Sequence, residues 1–128
     1  MKEALTKHEW ILMETLWQKS PLFLSEIMME MEPAVGWQKS TYSTYLKKLC
    51  DYGYIGYKTV SGNRAYYPLV QREECVSSES RHMLSKFSGR TSKMFLTCLI
   101  KDSELDEKDR VELRQLIESL GNSKGGKS

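Results

Sequence analysis

The segment 38–69 changes its apolar spacing midway, and this change constrains the fold more than any other feature of the chain. In its first part, apolar side chains recur at offsets of zero, three, four and seven, the spacing of one face of a helix: Tyr42, Tyr45, Leu46 and Leu49. Its second part is rich in aromatic and β-branched residues on both sides of the turn sequence Ser61-Gly62-Asn63. We therefore expect a helix followed by a β-hairpin formed by 54–60 and 64–69.

A helix is also predicted near the start of the chain. Thr6 and Glu9 are spaced as a capping box, with Leu5 and Trp10 placed as the hydrophobic staple around it. The apolar face of this helix is predicted to be Trp10, Met13, Leu16 and Trp17. Ser20-Pro21 ends it, because the residue before a proline is disfavoured in the helical conformation.

A short strand and a second helix are predicted between these two segments. The apolar run 22–24 reads as one small strand, and Ser25 is expected to cap a helix that Pro33 and Gly36 stop. The third helix is expected to end near Gly53. Three helices and a hairpin within about 65 residues predict a mainly α fold with a small β-hairpin, a winged helix-turn-helix domain at 1–70.

The face of the third helix opposite its apolar stripe carries hydroxyls and lysines, with no carboxylate before Asp51. A helix built only for solubility would mix both signs of charge. Between residues 37 and 70 there are five cations and one anion, whereas the other 94 residues carry 14 cations and 16 anions. The overall net charge is only +2, and such local imbalance also occurs on ordinary soluble domains, so this pattern supports an anionic partner without deciding it.

The partner that suits this face is double-stranded DNA, with the third helix in the major groove. Hydroxyls able to approach base edges are Ser40, Thr41, Ser43 and Thr44. Lysines expected towards the phosphates are Lys39, Lys47 and Lys48. Residues expected to place the hairpin against the backbone or the minor groove are Lys58, Asn63 and Arg64. The ring of Tyr42 belongs to the apolar stripe, while its hydroxyl could reach a phosphate; a core position is favoured.

Helical patterns continue after the hairpin, at 71–121. A loose pattern of Val76, Met83, Leu84 and Phe87 is expected to stop at Gly89, and 91–100 forms a compact apolar helix. Asp106 is expected to be the N-cap of a last helix. The tail 122–128 is rich in Gly, Ser and Lys and is predicted to be disordered.

Short helices of this kind cannot bury their apolar faces alone, so 71–121 is predicted to be a helical dimerisation domain that pairs two copies of the chain. The side chains expected in this contact are Phe95, Leu99, Leu113, Leu116, Ile117 and Leu120. The alternative is that these helices fold back on the winged helix of the same chain.

Metal, disulfide, membrane and catalytic functions are disfavoured by the sequence. The three cysteines Cys50, Cys75 and Cys98 are widely spaced, and His8 and His82 offer no metal-ligand spacing, so no metal or other cofactor is expected. The chain has no membrane-length apolar run and no signal peptide, so we expect a cytoplasmic protein without membrane insertion. No Ser/His/Asp set, phosphate loop or carboxylate pair indicates an enzyme.

The chain resembles the BlaI/MecI penicillinase-repressor family of bacterial transcriptional regulators. The similarity runs over residues 4 to 121 in an ordered set of segments: LTKHEWILMETLW in the first helix, SEIMMEM in the second, STYSTYLKKLCDYGYI in the recognition helix, GNRAYYPLV in the returning strand of the wing, and SKMFLTCLIKDSELDEKDRVELRQLIESL in the dimerisation part. The order of these segments along the chain is fairly specific to the family.

This resemblance implies a homodimeric repressor that binds a palindromic operator. In the best-known members a membrane sensor detects β-lactam and the repressor is then cut in its C-terminal part. The matching bond here is Cys98-Leu99, where those members have Asn-Phe. The copper-responsive branch carries a Cys-x-Cys pair near its C-terminus, which this sequence lacks, so no copper or zinc sensing is expected.

Two other binding functions remain open at this point. A winged helix can act as a protein-interaction module of a larger assembly without binding DNA. Such a module would more often carry mixed charge or apolar residues on the third helix. The chain could also be a regulator that binds a small molecule, although the sequence indicates no polar pocket.

Overall fold

The computed structural model describes residues 4–125, with side chains described up to residue 121. Within this range the elements are α1 (Lys7–Gln18), β1 (Leu22–Phe23), α2 (Leu24–Met31), α3 (Lys39–Asp51), β2 (Ile55–Val60), β3 (Asn63–Pro68), α4 (Arg72–Leu84), α5 (Gly89–Asp102) and α6 (Glu107–Gly125). The chain divides between Met83 and Leu84 into an N-terminal unit and a C-terminal unit. Helices with one small antiparallel sheet confirm the predicted fold class.

The capping box that starts α1 is present as predicted. The Thr6 backbone N–H donates to Glu9 Oε1 at 2.8 Å, and the Glu9 N–H donates to Thr6 Oγ1 at 3.4 Å. The buried face of α1 differs from the predicted one, because it consists of Glu9, Leu12, Met13 and Leu16. Trp10 and Trp17 are half-buried at its edge, where the Trp17 indole N–H donates to the Val70 carbonyl at 2.9 Å. An indole that needs a polar partner is placed at such an edge more readily than in the centre of a core.

The predicted short strand forms, but Ser25 does not cap α2. β1 pairs with β3, and α2 begins at Leu24, directly after the strand, with Phe23 as its N-cap. The Phe23 N–H donates to Glu26 Oε1 at 2.8 Å. Because the glutamate satisfies this N–H from the first turn, the helix starts two residues earlier than a Ser25 cap would place it.

The hairpin forms with a two-residue turn, and the three strands are ordered β1-β3-β2. Val60 pairs with Asn63, so Asn63 belongs to the strand and the turn consists of Ser61 and Gly62, with φ of 52° and 82°. Positive φ at both turn residues is the type I′ geometry that matches the twist of the two strands.

The core of the N-terminal unit is formed by α1, α2, α3 and the sheet. Its fully buried side chains include Leu12, Met13, Leu16, Ile27, Leu46, Leu49 and Ile55. Helix α4 also contributes to this core, because its Cys75 is only 4% exposed. Arg72 Nη2 of α4 also lies 3.4 Å from Glu14 Oε2 of α1. The compact unit therefore extends past residue 70, where the sequence placed the end of the DNA-binding domain.

The C-terminal unit consists of the end of α4, α5 and α6, and none of its described side chains is buried. Gly89 does not stop a helix as expected: α4 ends at Leu84, and Gly89, with φ of 50°, opens α5. Asp106 caps α6 as predicted, since its Oδ1 accepts the Asp109 N–H at 2.8 Å. Helix α6 continues to Gly125, so the tail predicted at 122–128 starts inside it, and residues 126–128 lie outside the described residues.

Candidate nucleic-acid interface

Helix α3 buries one face and exposes the other, as its sequence predicts. Leu46 and Leu49 are fully buried, and Tyr42 is 2% exposed, which confirms the core position of its ring. The exposed residues of the opposite face are Lys39, Ser40, Ser43, Thr44 and Lys47, and Thr41 is half-buried beside them. The elements that bury the stripe thus present the hydroxyls and lysines to solvent together.

The start of α3 is held by aromatic contacts. The Trp37 ring, just before the helix, stacks on Tyr45 with centroids 4.6 Å apart and an interplanar angle of 11°. It also meets Tyr42 and His8 edge to face, at 5.1 and 5.3 Å. These contacts fix the chain that leads into α3 to both α1 and α3.

The first turn of α3 is suited to an anion. Its N-cap, Gln38, makes no side-chain capping hydrogen bond, and the turn contains no acidic residue. The first amide N–H groups of a helix have no partner within it and lie at the positive end of the helix dipole. A phosphate at this end would be met by amide donors and by the exposed Lys39.

The three predicted phosphate lysines have different environments. Lys39 is exposed, and Lys47 Nζ lies 3.1 Å from Asp51 Oδ2 in an exposed pair. Exposed pairs of this kind contribute little and exchange readily with water or another anion. Lys48 Nζ instead lies 2.8 Å from Glu9 Oε2, whose side chain is 3% exposed. Lys39 and Lys47 therefore face solvent, while the ammonium of Lys48, whose side chain is 40% exposed, is paired with the buried Glu9 carboxylate.

The hydroxyls of α3 also differ. Thr44 Oγ1 donates to the Ser40 carbonyl at 3.0 Å, so its proton is engaged with the helix and its lone pairs remain available to a donor. An adenine or cytosine amino group is such a donor in the major groove. Thr44 is therefore oriented as an acceptor, and its methyl group remains able to meet a thymine methyl.

The hairpin holds one arginine in a defined position. The Arg64 guanidinium lies 4.3 Å above the centre of the Tyr57 ring, and a hydrogen bond with Tyr66 raises the pKa of Arg64. Such stacking lowers the conformational freedom of the side chain while leaving its charge intact. Lys58 is exposed on β2 and shares a separate cleft with Pro21 and Tyr67.

An open cleft of about 670 Å³ joins the hairpin tip to the start of α3. Its walls come from β1, α2, α3 and the hairpin, and it brings together three of the predicted DNA-contacting residues, Lys39, Asn63 and Arg64. Two cations and an amide around one open groove fit a strand of the phosphate backbone.

Glu9 is the functional candidate that sequence reasoning missed. Burial would raise its pKa, but hydrogen bonds from Lys48 and from the Thr6 backbone, with the charge of Lys48, lower the pKa of Glu9 below its ordinary value. In the sequence, Glu9 is interpreted only as the glutamate of the capping box. The overlooked signal is its spacing from Leu12 and Met13, at three and four residues, which places a carboxylate on the buried face, where it needs a partner.

The predicted dimerisation residues lie on α5 and α6. Phe95 is half-buried against Phe87, with ring centroids 4.9 Å apart. The other predicted residues are exposed by 38 to 62%: Leu99, Leu113, Leu116, Ile117 and Leu120. Cys98 is exposed as well, and the Cys98-Leu99 bond lies inside α5.

Two other kinds of site were sought in the part of the chain that the structure describes. No group of three or more His, Cys, Asp or Glu residues there is arranged to hold a metal ion. No helix among the described residues is long and apolar enough to cross a membrane.

Comparison with known proteins places these features in one family. The chain is 24% identical over 114 residues to the methicillin resistance regulatory protein MecI of Staphylococcus aureus, covering 88% of this chain and 92% of MecI. The solution structure of the DNA-binding domain of the repressor BlaI matches 58% of this chain and 93% of that domain, with 21% identity and a TM-score of 0.51. Staphylococcus aureus MarR, solved with salicylate and kanamycin, shares the fold at 10% identity and a TM-score of 0.52, covering 97% of this chain and 76% of MarR. The model of the penicillinase repressor family matches residues 5–119. The chain therefore belongs to the penicillinase repressor family.

Proposed function

We propose that this protein is a homodimeric transcriptional repressor that binds a palindromic operator in double-stranded DNA. The observation that carries the proposal is the exposed face of α3, where hydroxyls and lysines stand beside a groove lined by Lys39 and Arg64. Membership of the penicillinase repressor family supports it.

In this proposal α3 enters the major groove and the hairpin lies along the flanking backbone. Ser40, Thr41, Ser43 and Thr44 face the base edges, where hydroxyls give modest discrimination between bases. Phosphates are contacted by the first turn of α3, by Lys39 and Lys47, and by Lys58, Asn63 and Arg64 of the hairpin. These contacts fix the position of the helix on the duplex without reading sequence.

The dimer is proposed to form through α5 and α6. Most of their apolar side chains are exposed in a single chain. A cleft of about 390 Å³ lies between the two helices and their connection, and its lining is Ile100, Leu105, Leu113 and Ile117 with the charged residues Arg110, Arg114 and Glu118. A twofold dimer would present two α3 helices to half-sites about 10 base pairs apart or a multiple of that. Binding at the second half-site is then intramolecular, which raises the overall affinity without new contacts. A dimer held on an operator that overlaps a promoter blocks transcription.

Binding to DNA from upstream of the protein's own gene tests the proposal. Fluorescence anisotropy with this duplex and with a shuffled duplex of the same composition should show preference for the first. Thr44→Ala should reduce this preference, and Lys47→Ala should weaken binding to both duplexes. Lys108→Ala, an exposed lysine of α6, is the matched control and should change neither.

If neither duplex binds, the alternative of a protein-interaction module is favoured. If both are bound and both α3 variants behave as the wild type, α3 is not the reading helix.

We also propose that the repressor is released by a cut at Cys98-Leu99 in response to β-lactam or cell-wall stress, through a sensor or protease acting on it. The resemblance to the family supports this. The bond lies within α5, and the Leu99 carbonyl accepts the Ser103 N–H at 3.0 Å, so a protease must first open the helix locally. The cut would separate the N-terminal unit from α6 and so remove the gain from dimerisation.

Immunoblots of the repressor before and after exposure of cells to a β-lactam test this step. A shorter N-terminal fragment should appear as transcription rises. Derepression with a full-length chain would show that release occurs by another route, such as a bound ligand.

A further inference from the structure

Two adjacent lysines of α3 have opposite surroundings. Lys47 pairs with an exposed carboxylate, that of Asp51, and its own side chain is 79% exposed. Lys48 pairs with Glu9, whose carboxylate is almost completely buried. The same side chain thus occurs twice, once directed to solvent and once directed to α1.

Glu9 connects the start of α1 to the second half of α3. Its Oε1 accepts the Thr6 backbone N–H, and its Oε2 lies against Lys48 Nζ. Within the described residues, Oε2 has no hydrogen-bond partner apart from this ammonium. Both oxygens are therefore committed, one to the cap of α1 and one to α3.

Moving Lys48 to a phosphate would leave the Glu9 carboxylate buried without a counter-charge. The desolvation of an isolated buried carboxylate is costly, whereas a phosphate on the surface can be met by water or by another lysine. We therefore expect the ion pair to persist when DNA binds.

We propose that Lys48 is a positioning residue and does not contact the DNA backbone. Its pairing with buried Glu9 sets the orientation of α3 on α1, and this orientation presents the hydroxyl face of α3 to the bases. The Trp37–Tyr45 stack holds the chain that leads into α3, and the Glu9–Lys48 pair holds the second half of the helix. This inference rests on the proposed DNA binding and deepens it, because it gives Lys48 of α3 a role in the preference for the operator sequence.

The salt dependence of DNA binding separates a phosphate contact from a positioning role. Each phosphate contact contributes about 0.9 to the slope of log K against log salt concentration. Lys47→Gln should lower the slope by about this amount and weaken operator and shuffled duplex equally. Lys48→Gln should leave the slope unchanged and lower the operator-to-shuffled affinity ratio about tenfold, the size of one lost base contact.

Glu9→Gln is the most discriminating variant, because the buried Glu9 would not contact DNA whether Lys48 binds a phosphate or positions the helix. Positioning predicts the same loss of ratio as in Lys48→Gln, and no further loss in the double variant. Lys48→Arg keeps the charge and the reach to Glu9, so it should retain the wild-type ratio.

The inference is overturned if Lys48→Gln lowers the slope as Lys47→Gln does, or if Glu9→Gln binds the operator as well as the wild type. Should Glu9→Gln not fold, the slopes of Lys48→Gln and Lys48→Arg decide the question. A wild-type protein without preference for the operator refutes the proposed function itself, whereas a preference that survives in Glu9→Gln refutes only the positioning role.

Discussion

The two units of the chain differ in how they remove apolar side chains from water. The N-terminal unit buries Leu12, Leu46 and Leu49 completely, together with residues from α2, α4 and the sheet. In the C-terminal unit, none of the described side chains is buried, and Leu116 and Ile117 are 56% and 62% exposed. The first unit thus closes its core within one chain, and the second has apolar surface still to cover.

This difference fits the separate tasks that we propose for the two units. A closed core would hold the proposed reading face of α3 in one geometry, which base recognition requires. Exposed leucines on α5 and α6 would provide the surface on which we propose that a second copy is held. Full burial of a leucine contributes roughly 1.5–3 kcal/mol, so covering the exposed half of such a side chain contributes about half of that, and in a twofold dimer each contributes twice.

A charge in the C-terminal stripe should have the largest effect. Leu116 is already partly covered in the single chain, being 56% exposed, so Leu116→Asp loses about half of the full burial of two leucines per dimer, roughly 1.5–3 kcal/mol of association free energy, and adds two charges at the contact. We expect monomers by light scattering at micromolar concentration, with the circular dichroism of a folded N-terminal unit. Glu112→Gln, an exposed change on the same helix, is the control. A dimer in Leu116→Asp would place the contact elsewhere, whereas a wild type that is itself monomeric would favour a fold-back of these helices on the same chain.

A cavity in the N-terminal core should lower the stability of that unit and leave the dimer intact. Leu12 is fully buried, so Leu12→Ala should lower the free energy of unfolding by about 2–5 kcal/mol through lost transfer energy and a cavity. Urea titrations followed by tryptophan fluorescence measure it, since Trp10, Trp17 and Trp37 all lie in this unit. Below the transition, the variant should keep the wild-type mass by light scattering. A loss of the dimer in the native baseline would show that the two units are not independent.

The Glu9–Lys48 pair should make the stability of the N-terminal unit sensitive to acid. Because the folded state lowers the pKa of Glu9, its contribution is fully present above the ordinary glutamate pKa of about 4.3 and is lost as the pH falls through the lower folded-state value. The unfolding free energy of the wild type should therefore fall below about pH 4.5 more steeply than that of Glu9→Gln. Equal slopes of unfolding free energy against pH for the wild type and Glu9→Gln would contradict the pairing of Glu9 with Lys48.

Local sequence signals predicted much of this structure, and tertiary contacts account for most of what they missed. The stripe of α3, the capping box at Thr6, the turn at Ser61-Gly62 and the cap at Asp106 each depend on residues close in sequence. The start of α2 was misplaced because Glu26 in its first turn accepts the Phe23 N–H, so the helix begins before Ser25. The contact of Lys48 with Glu9 joins two helices far apart in sequence, so the spacing within α3 could not distinguish Lys48 from Lys47.

Hydrogen exchange at two protein concentrations tests the contrast between the units most directly. Diluting the full chain dissociates a dimer by mass action but leaves a core formed within one chain intact. The account predicts that amides of α5 and α6 exchange faster on dilution, while amides of α1 and α3, around Leu12 and Leu46, exchange at unchanged rates. Exchange in α5 and α6 that is slow and independent of concentration, or protection in α1 and α3 that falls with theirs, would contradict it.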